Sequence, residues 1–185
     1  LLEDACKQEK HTIATFGGAY SNHLIATAYA CSQLGLTSLG FVRGEASTRL
    51  SPTLLECQHY GMQLHFLSRS DYARQPVEAA LRAMETAATD VYWIPEGGYH
   101  PLGAKGASAM YAALQEMNPT HIVLAVGTAT TLAGFCLQAT GDAELIAVPV
   151  LKNLTDIPKR LFELCGFHPS ITCWPDAHRG GYARK

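Results

Sequence analysis

Short apolar runs alternate along the chain with longer segments in which apolar residues recur every three or four positions. The runs at 12–16, 37–42 and 121–126 have the length and the apolar character of buried strands. The longer segments carry helix signals, and the Ser51-Pro52 pair has the favoured order of an N-cap followed by a proline in the first turn. Repeated strand–helix units predict an α/β fold with parallel open twisted sheets flanked by helices.

The same pattern sets the predicted element bounds and the division into domains. A soft break between Ala73 and Asp90 separates two sectors, so we predict a smaller α/β domain over 1–89 and part of a larger α/β domain over 90–185. The predicted strands are 12–16, 37–42, 63–67, 91–94, 121–126 and 145–149, and the predicted helices are 1–9, 21–34, 51–61, 76–88, 102–117, 132–139 and 157–165.

Composition and charge narrow the class of protein. The chain has 185 residues, of which 48% are hydrophobic and 16% are charged, which is typical of a globular protein with a buried core. A net charge of −2 without a basic run argues against nucleic acid as a partner, and no apolar segment is long enough to predict a membrane span. The six cysteines are scattered and the eight histidines lack metal-ligand spacing, so we expect buried free thiols, a reducing cytoplasmic location and no metal.

The turn after the first predicted strand carries the first candidate chemistry. The pair Gly17-Gly18 is followed by Ser21-Asn22-His23 and then by small and apolar residues at helical spacing. Hydroxyl, amide and imidazole groups thus meet at a helix N-terminus, where unpaired N–H groups and the helix dipole favour an anion or the polar edge of a cofactor. The alternative interpretation, in which Ser21 or Asn22 only caps the helix, is equally compatible with the residues.

A second glycine turn follows the predicted strand at 121–126. Its sequence, G-T-A-T-T at 127–131, places hydroxyl groups beside the N–H donors of the next helix, a combination that can surround a phosphate. It is neither a Walker loop nor a dinucleotide fingerprint, and a tight turn with threonine caps is the simpler alternative. Because ligands of parallel sheets gather at the carboxyl ends of strands, the two turns together favour a phosphorylated organic cofactor.

Three motifs, in this order, resemble one known family. They are G-G-A-Y-S-N-H-L-x-A-T-A from Gly17, P-E-G-G-Y-x-x-L-G-A-x-G from Pro95 and V-G-T-A-T-T-L-A-G from Val126. The chain resembles pyridoxal-phosphate enzymes of the tryptophan synthase β-like fold (fold type II), in the branch of 1-aminocyclopropane-1-carboxylate deaminase and D-cysteine desulfhydrase. The resemblance covers nearly the whole chain and implies that fold, incomplete at both ends, with pyridoxal 5'-phosphate as the cofactor.

The resemblance implies roles for the residues of the first turn. Asn22 would hydrogen-bond the ring hydroxyl of the cofactor. Ser21 would lie next to the substrate, either binding its carboxylate or supplying the hydroxyl used in ring opening, and is therefore both a catalytic and a substrate-binding candidate. His23 is a further substrate-binding candidate, in a position where deaminases of this branch tend to have glutamine. That departure leaves ring opening and β-elimination both open as the reaction.

The resemblance also assigns roles to the second turn and to two tyrosines. Tyr99 is a substrate-binding candidate, and Tyr182 is a catalytic candidate that is equally compatible with an ordinary turn aromatic. Ala129 replaces a glycine that is common in the family's loop, and the backbone donors survive this change if its φ is negative. The cofactor phosphate would be held by Gly127, Thr128, Ala129, Thr130 and Thr131.

The activity that the resemblance implies is a deaminase or lyase reaction on a small amino acid, releasing ammonia and a 2-oxo acid, in a protein that we expect to form a homodimer. The chemistry needs a lysine that forms a Schiff base with the cofactor. The resemblance places it just upstream of the segment matching Leu1-Leu2, so we expect it outside these residues. The alternatives are a non-catalytic fragment that only binds or supports structure, and a nucleotide-binding module, which the missing Walker lysine disfavours.

Overall fold

The computed structural model of the protein describes residues 1–46, 49–74, 90–139, 143–151 and 154–178. The strands are β1 (Thr12–Gly17), β2 (Thr37–Arg43), β3 (Gln63–Leu67), β4 (Val91–Ile94), β5 (His121–Val126), β6 (Glu144–Pro149) and β7 (Thr172–Cys173). The helices are α1 (Leu2–Lys7), α2 (Asn22–Leu34), α3 (Pro52–His59), α4 (Arg69–Arg74), α5 (Pro101–Gln115), α6 (Thr130–Gln138) and α7 (Ile157–Cys165), with 3-10 turns at Glu96–Gly98 and Pro175–His178. This alternation confirms the predicted α/β fold with parallel sheets flanked by helices.

The first of two compact units, Leu1–Gly97, contains a four-stranded parallel sheet in the order β3-β2-β1-β4. Strand β1 lies in the interior of this sheet, and all six of its residues are buried. A strand with neighbours on both sides is buried along its length, which explains the apolar Ile13, Ala14 and Phe16 and requires partners for the buried hydroxyl of Thr15. In the register of the sheet, Thr15 lies opposite Gly40 of β2 and Ile94 of β4.

The second compact unit, Gly98–Lys185, contains a three-stranded parallel sheet in the order β5-β6-β7. Helices α5 and α6 pack closely because Gly134 of α6 has no side chain. A Cβ at that position would lie 2.5 Å from the carbonyl oxygen of Ala104 and 2.7 Å from Cβ of Ala107. The glycine at the end of the V-G-T-A-T-T-L-A-G motif therefore permits the contact that fixes the direction of α6.

The division between the units falls after β4, whereas the sequence predicted it between residues 89 and 90. Strand β4 pairs with β1 from Thr12 opposite Val91 to Thr15 opposite Ile94, so it belongs to the first sheet. The two units meet in sequence at Gly97 and Gly98, both with positive φ. Sequence patterning did not identify this boundary, because strand pairing across 79 residues leaves no local signal.

Most element bounds agree with the predictions to within one or two residues. The predicted helix at 76–88 lies outside the described residues. Helix α4 was not predicted, although Ser68 and Asp71 carry its signal. The Asp71 N–H donates to the Ser68 hydroxyl over 3.1 Å, and that hydroxyl donates to the Asp71 carboxylate over 2.7 Å. This is a local variant of the capping box, a start signal that short helices share with long ones.

The described residues contain neither a helix long and apolar enough to cross a membrane nor a group of three or more His, Cys, Asp or Glu side chains that could hold a metal ion. All six cysteines are free. Cys31, Cys57 and Cys136 are buried, and burial raises the pKa of each thiol, to about 11 for Cys31 and Cys57 and to about 12 for Cys136. These three cysteines therefore behave as small apolar core residues.

Candidate functional site

The β1–α2 turn brings the helix start back against the strand that precedes it. A Cβ at Gly17 would lie 2.7 Å from Cγ of Leu24 and 2.9 Å from Oγ of Ser21, so only glycine permits this approach. Ser21 is the N-cap, and its Oγ accepts the Leu24 N–H over a long 3.4 Å. Capping uses the hydroxyl oxygen as an acceptor and leaves the hydroxyl hydrogen out of the bond, so a capping Ser21 still has a proton to donate to a ligand.

Asn22 and His23 follow this cap as the first two residues of α2. Their backbone N–H groups have no acceptor within the helix, because the i−4 carbonyls lie before its start. The first turn of α2 carries no acidic side chain that would compete for these donors. Asn22 is exposed and His23 is partly buried. The structure therefore places the three polar residues predicted from the S-N-H motif together at one helix start.

His23 reaches back into the sheet. Its Nε2 lies 2.7 Å from Oγ1 of Thr15, whose hydroxyl donates to the carbonyl oxygen of Ile94 over 2.8 Å. Burial lowers the pKa of His23 from 6.5 to about 4, because the charged imidazolium loses solvation. His23 is therefore neutral near pH 7. Sequence reasoning missed Thr15, because a threonine in a buried strand is indistinguishable from an ordinary β-branched core residue.

Ser51 is hydrogen-bonded to the loop between Gly18 and Ser21. It is the N-cap of α3, as predicted, and its Oγ accepts the Leu54 N–H over 3.2 Å. The same hydroxyl donates to the carbonyl oxygen of Ala19. One side chain thus ties the start of α3 to the loop that precedes α2, a contact over 32 residues that the sequence does not signal.

The first unit contains a cavity of about 610 Å³ at the end of β2. The Arg43 guanidinium, at the end of β2, lies 3.9 Å from the position of a Cβ on Gly18 and 5.7 Å from the ring centroid of Tyr72. Burial and the nearby Glu96 carboxylate raise the pKa of the Tyr72 hydroxyl, which keeps it protonated. The cavity is lined by Arg43, Arg69, Tyr72, Ala73 and Glu96.

The β5–α6 turn differs from the sequence expectation at Ala129. Its φ of 72° and ψ of 2° place it in the left-handed region, so the negative φ on which the expectation depended is absent. Ala129 is the N-cap of α6 and is 3% exposed, with the first helical bond running from the Ala133 N–H to its carbonyl over 2.8 Å. Glycine adopts this left-handed backbone conformation without steric cost, whereas alanine is destabilised in it by about 1–2 kcal/mol.

The start of α6 offers N–H groups without a side-chain cap. The helix begins at Thr130, two residues earlier than predicted, and its alanine N-cap has no side-chain acceptor. The N–H groups of Thr130 and Thr131 therefore have no partner within the helix. Oγ1 of Thr128 and Oγ1 of Thr130 lie 3.1 Å apart at the same end, and no acidic residue occurs in the first turn.

This donor set fits a phosphate group. Backbone N–H groups at a helix N-terminus and neighbouring hydroxyls bind a phosphate without a metal ion, and the helix dipole favours its negative charge. Gly127 contributes open space, because a Cβ there would meet nothing closer than Val150 at 3.9 Å. The predicted phosphate-binding residues at 127–131 therefore form one continuous turn with donors at its helical end.

Of the two tyrosines predicted from the sequence, only Tyr99 lies within the described residues. The Tyr99 hydroxyl donates to the Glu163 carboxylate of α7, and the Arg160 guanidinium lies 5.5 Å from the centroid of its ring. Burial, with the Glu163 hydrogen bond, raises the pKa of Tyr99 to about 12. Its substrate-binding role stays a prediction. Tyr182 lies outside the described residues.

Curated proteins match the sequence over most of its length. A D-cysteine desulfhydrase of Klebsiella pneumoniae subsp. pneumoniae is 32% identical over 174 residues, which is 86% of this chain and 53% of that protein. The bifunctional D-cysteine desulfhydrase/1-aminocyclopropane-1-carboxylate deaminase, mitochondrial, of Arabidopsis thaliana is 30% identical over 154 residues, which is 74% of this chain and 38% of that protein. The chain thus spans about half or less of the length of these relatives.

Solved structures share the fold. The crystal structure of an ACC deaminase homologue matches 99% of this chain and 61% of its own with a TM-score of 0.74 at 24% identity. A pyridoxal 5'-phosphate-dependent aspartate racemase matches 80% of this chain and 43% of its own with a TM-score of 0.62 at 15% identity. The family model of pyridoxal-phosphate dependent enzymes matches residues 1–151. The resemblance predicted from the three motifs is thereby confirmed, and the chain belongs to the family of pyridoxal-phosphate dependent enzymes.

Proposed function

We propose that the protein is a deaminase or lyase that uses pyridoxal phosphate to convert a small amino acid, 1-aminocyclopropane-1-carboxylate or D-cysteine, into a 2-oxo acid and ammonia. The observation that carries the proposal is the uncapped start of α6, which offers N–H and hydroxyl donors in the motif to which the family resemblance assigns the cofactor phosphate. The names of the curated relatives support this substrate class.

The second-turn residues bind the cofactor phosphate in this proposal. The N–H groups of Thr130 and Thr131 donate to phosphate oxygens, and the hydroxyls of Thr128 and Thr130 add donors at the same end. Gly127 leaves room for the phosphate to approach the backbone. Ala129 holds the left-handed geometry that directs these donors to one side.

The first-turn residues bind the ring of the cofactor and the substrate. Asn22 orients the ring through its hydroxyl, and Ser21 donates its hydroxyl hydrogen to the substrate. The N–H groups of Asn22 and His23 suit the substrate carboxylate, since they are unpaired within the helix and the helix dipole favours an anion. The cofactor, when bound, supplies a pyridine ring that withdraws the electron pair left on the substrate carbon.

The proposal also includes three further predictions from the sequence. Tyr99 contacts the substrate, Tyr182 acts as the second catalytic side chain, and the protein forms a homodimer. The Schiff-base lysine is expected upstream of Leu1, so activity is to be measured on the full-length gene product. The competing function, a non-catalytic protein that only binds the cofactor, is tested by the same assay through its lack of turnover.

A charge introduced at the start of α6 tests the proposal. Thr131 is exposed and is the second residue of α6, and Thr53 holds the same position in α3. An aspartate at either position interacts favourably with its helix dipole, so neither variant should unfold. Thr131→Asp places a negative charge against the phosphate and should weaken pyridoxal phosphate binding at least about tenfold, whereas Thr53→Asp should leave it unchanged.

The readouts separate cofactor binding from turnover. Binding is followed by isothermal titration calorimetry with pyridoxal phosphate. Turnover is followed by release of ammonia and a 2-oxo acid from either amino acid, with sulfide released from D-cysteine only. Equal affinity of the Thr131→Asp and Thr53→Asp variants would remove the phosphate site from α6, and binding without any turnover of either substrate would favour the non-catalytic alternative.

A further inference from the structure

The hydroxyl of Thr15 lies between two groups in the interior of the first unit. Thr15 is on β1 and is 0% exposed. Its Oγ1 donates to the carbonyl oxygen of Ile94 over 2.8 Å and lies 2.7 Å from Nε2 of His23. Both distances are those of well-formed hydrogen bonds. The bond to Ile94 is buried and the contact with His23 is partly buried.

The hydrogens available in the hydrogen-bonded series His23–Thr15–Ile94 determine which ring nitrogen of His23 carries the proton. A carbonyl oxygen only accepts hydrogen bonds, and a threonine hydroxyl has a single hydrogen to donate. Since that hydrogen is directed at Ile94, the Thr15 oxygen must act as the acceptor toward His23. Nε2 of His23 therefore carries a hydrogen. In a neutral imidazole the other nitrogen, Nδ1, then has a lone pair and no hydrogen.

The surroundings keep the ring in this neutral form. Burial places the pKa of His23 at about 4, well below neutral pH. No acidic residue lies in the first turn of α2 to stabilise an imidazolium. A neutral ring with its hydrogen on Nε2 accepts a hydrogen bond at Nδ1 and cannot donate one there.

We propose that Thr15 is a positioning residue that fixes the hydrogen of His23 on Nε2, so that Nδ1 offers the candidate site a hydrogen-bond acceptor. The functional part of this inference rests on the proposed function. An amino acid brings both an anionic carboxylate and N–H, O–H or S–H donors. His23 takes one of these donors through Nδ1, and the carboxylate is left to the N–H groups at the start of α2.

The ring state is tested by NMR on the protein without cofactor or substrate. Nitrogen-15 shifts and long-range couplings of the His23 ring distinguish the Nε2–H form, the Nδ1–H form and the imidazolium. We expect Nε2–H throughout pH 6 to 8, where 6 lies between the two pKa values of 6.5 and about 4. The exposed ring of His59 is recorded in the same spectra for comparison. An Nδ1–H form, or titration near 6.5, would overturn the proposal.

Two substitutions of Thr15 separate positioning from packing. Thr15→Val keeps the shape and removes the acceptor, so the Nδ1–H form should become populated. Thr15→Ser keeps the hydroxyl and should preserve the Nε2–H form, although it loses the methyl group and its packing. An unchanged ring state in Thr15→Val would contradict the role of Thr15 even if the protein is destabilised. If Thr15→Val does not fold, the ring state of His23 is still measured in the unmodified protein and in Thr15→Ser. An Nδ1–H form in either protein would overturn the proposal.

The outcome is independent of the proposed reaction. The NMR measurement uses neither pyridoxal phosphate nor an amino acid, so an inactive protein with an Nε2–H ring would refute the proposed function and retain the role of Thr15. An active protein with an Nδ1–H ring would do the reverse.

Discussion

The starts of α2 and α6 follow the same strand–glycine–helix sequence pattern but use different chemistry. The start of α2 is capped by the Ser21 side chain and surrounded by polar side chains. The start of α6 is preceded by Ala129, which has a left-handed backbone and no capping atom. Side chains therefore determine what the first turn can do, whereas backbone N–H groups determine what the second can bind. Unpaired N–H groups at an uncapped helix start suit an anionic group such as a phosphate.

The largest difference in stability between the two turns is expected when a methyl group is added to the first glycine of each turn. Gly17→Ala forces a Cβ to 2.7 Å from Leu24 and should lower the free energy of unfolding by up to about 3 kcal/mol. Gly127→Ala meets nothing closer than 3.9 Å and should change it by less than about 0.5 kcal/mol. Denaturant unfolding measures both values. Equal losses in the two variants would mean that the turns are packed alike, against the comparison.

The second effect is the pH dependence that His23 of α2 contributes to stability. The unfolded state protonates His23 near its ordinary pKa of 6.5, and the folded state only near 4. Between these values the unfolded state binds more protons, so the free energy of unfolding falls as the pH falls, by at most about 1.4 kcal/mol per pH unit. It levels off below pH 4 as far as this group is concerned.

His23→Gln is the control for this slope. Glutamine keeps an N–H donor for Thr15 and does not titrate, so the loss of stability between pH 6.5 and 4 should be smaller in the variant. The measurement is a series of urea unfolding curves across this range. Parallel curves of stability against pH for the two proteins would show that His23 is not held neutral by burial.

A third, smaller effect separates the backbones of the two helices. Ala129→Gly removes the strain of a left-handed alanine and should raise the free energy of unfolding by about 0.5–1 kcal/mol. Ala26→Gly, at an exposed interior position of α2, should lower it by a similar amount, about 1 kcal/mol, because glycine is a poor helix former. Thermal unfolding at one pH gives both signs. A destabilised Ala129→Gly variant would show that Ala129 is not strained.

The smallest effect on stability is expected for the Ser21 cap. Its hydrogen bond to the Leu24 N–H is long, at 3.4 Å, so Ser21→Ala should cost about 0.5 kcal/mol, at the low end for such caps. Turnover of the full-length protein should fall by much more, because the hydroxyl is proposed to contact the substrate. Unchanged turnover in this variant would remove Ser21 from the site.

Local sequence signals predicted the elements well and the long-range contacts poorly. Strand β3, strand β5 and helix α7 have their predicted bounds, because their apolar patterns and end signals lie within the elements themselves. The pairing of β4 with β1, the bond from Ser51 to Ala19 and the hydroxyl of Thr15 join residues that are far apart in sequence or have no distinctive type. Those contacts become apparent only in the folded structure.

The residues of the candidate site likewise divide into those that local sequence signals predicted and those that only the structure shows. The S-N-H and G-T-A-T-T motifs were visible because they sit at strand–helix turns, where polar residues have few structural alternatives. The left-handed φ of Ala129 was not visible, since alanine in this sequence position is normally a sign of negative φ. Arg43 ends β2 and Glu96 follows β4, and only the fold brings these two residues to one cavity.

A crystal structure of the protein with pyridoxal phosphate locates the phosphate group itself. The account predicts phosphate oxygens within about 3.2 Å of the backbone nitrogens of Thr130 and Thr131, with the left-handed φ of Ala129 retained. A cofactor bound with its phosphate at another place, and with the start of α6 making no contact to it, would contradict the account.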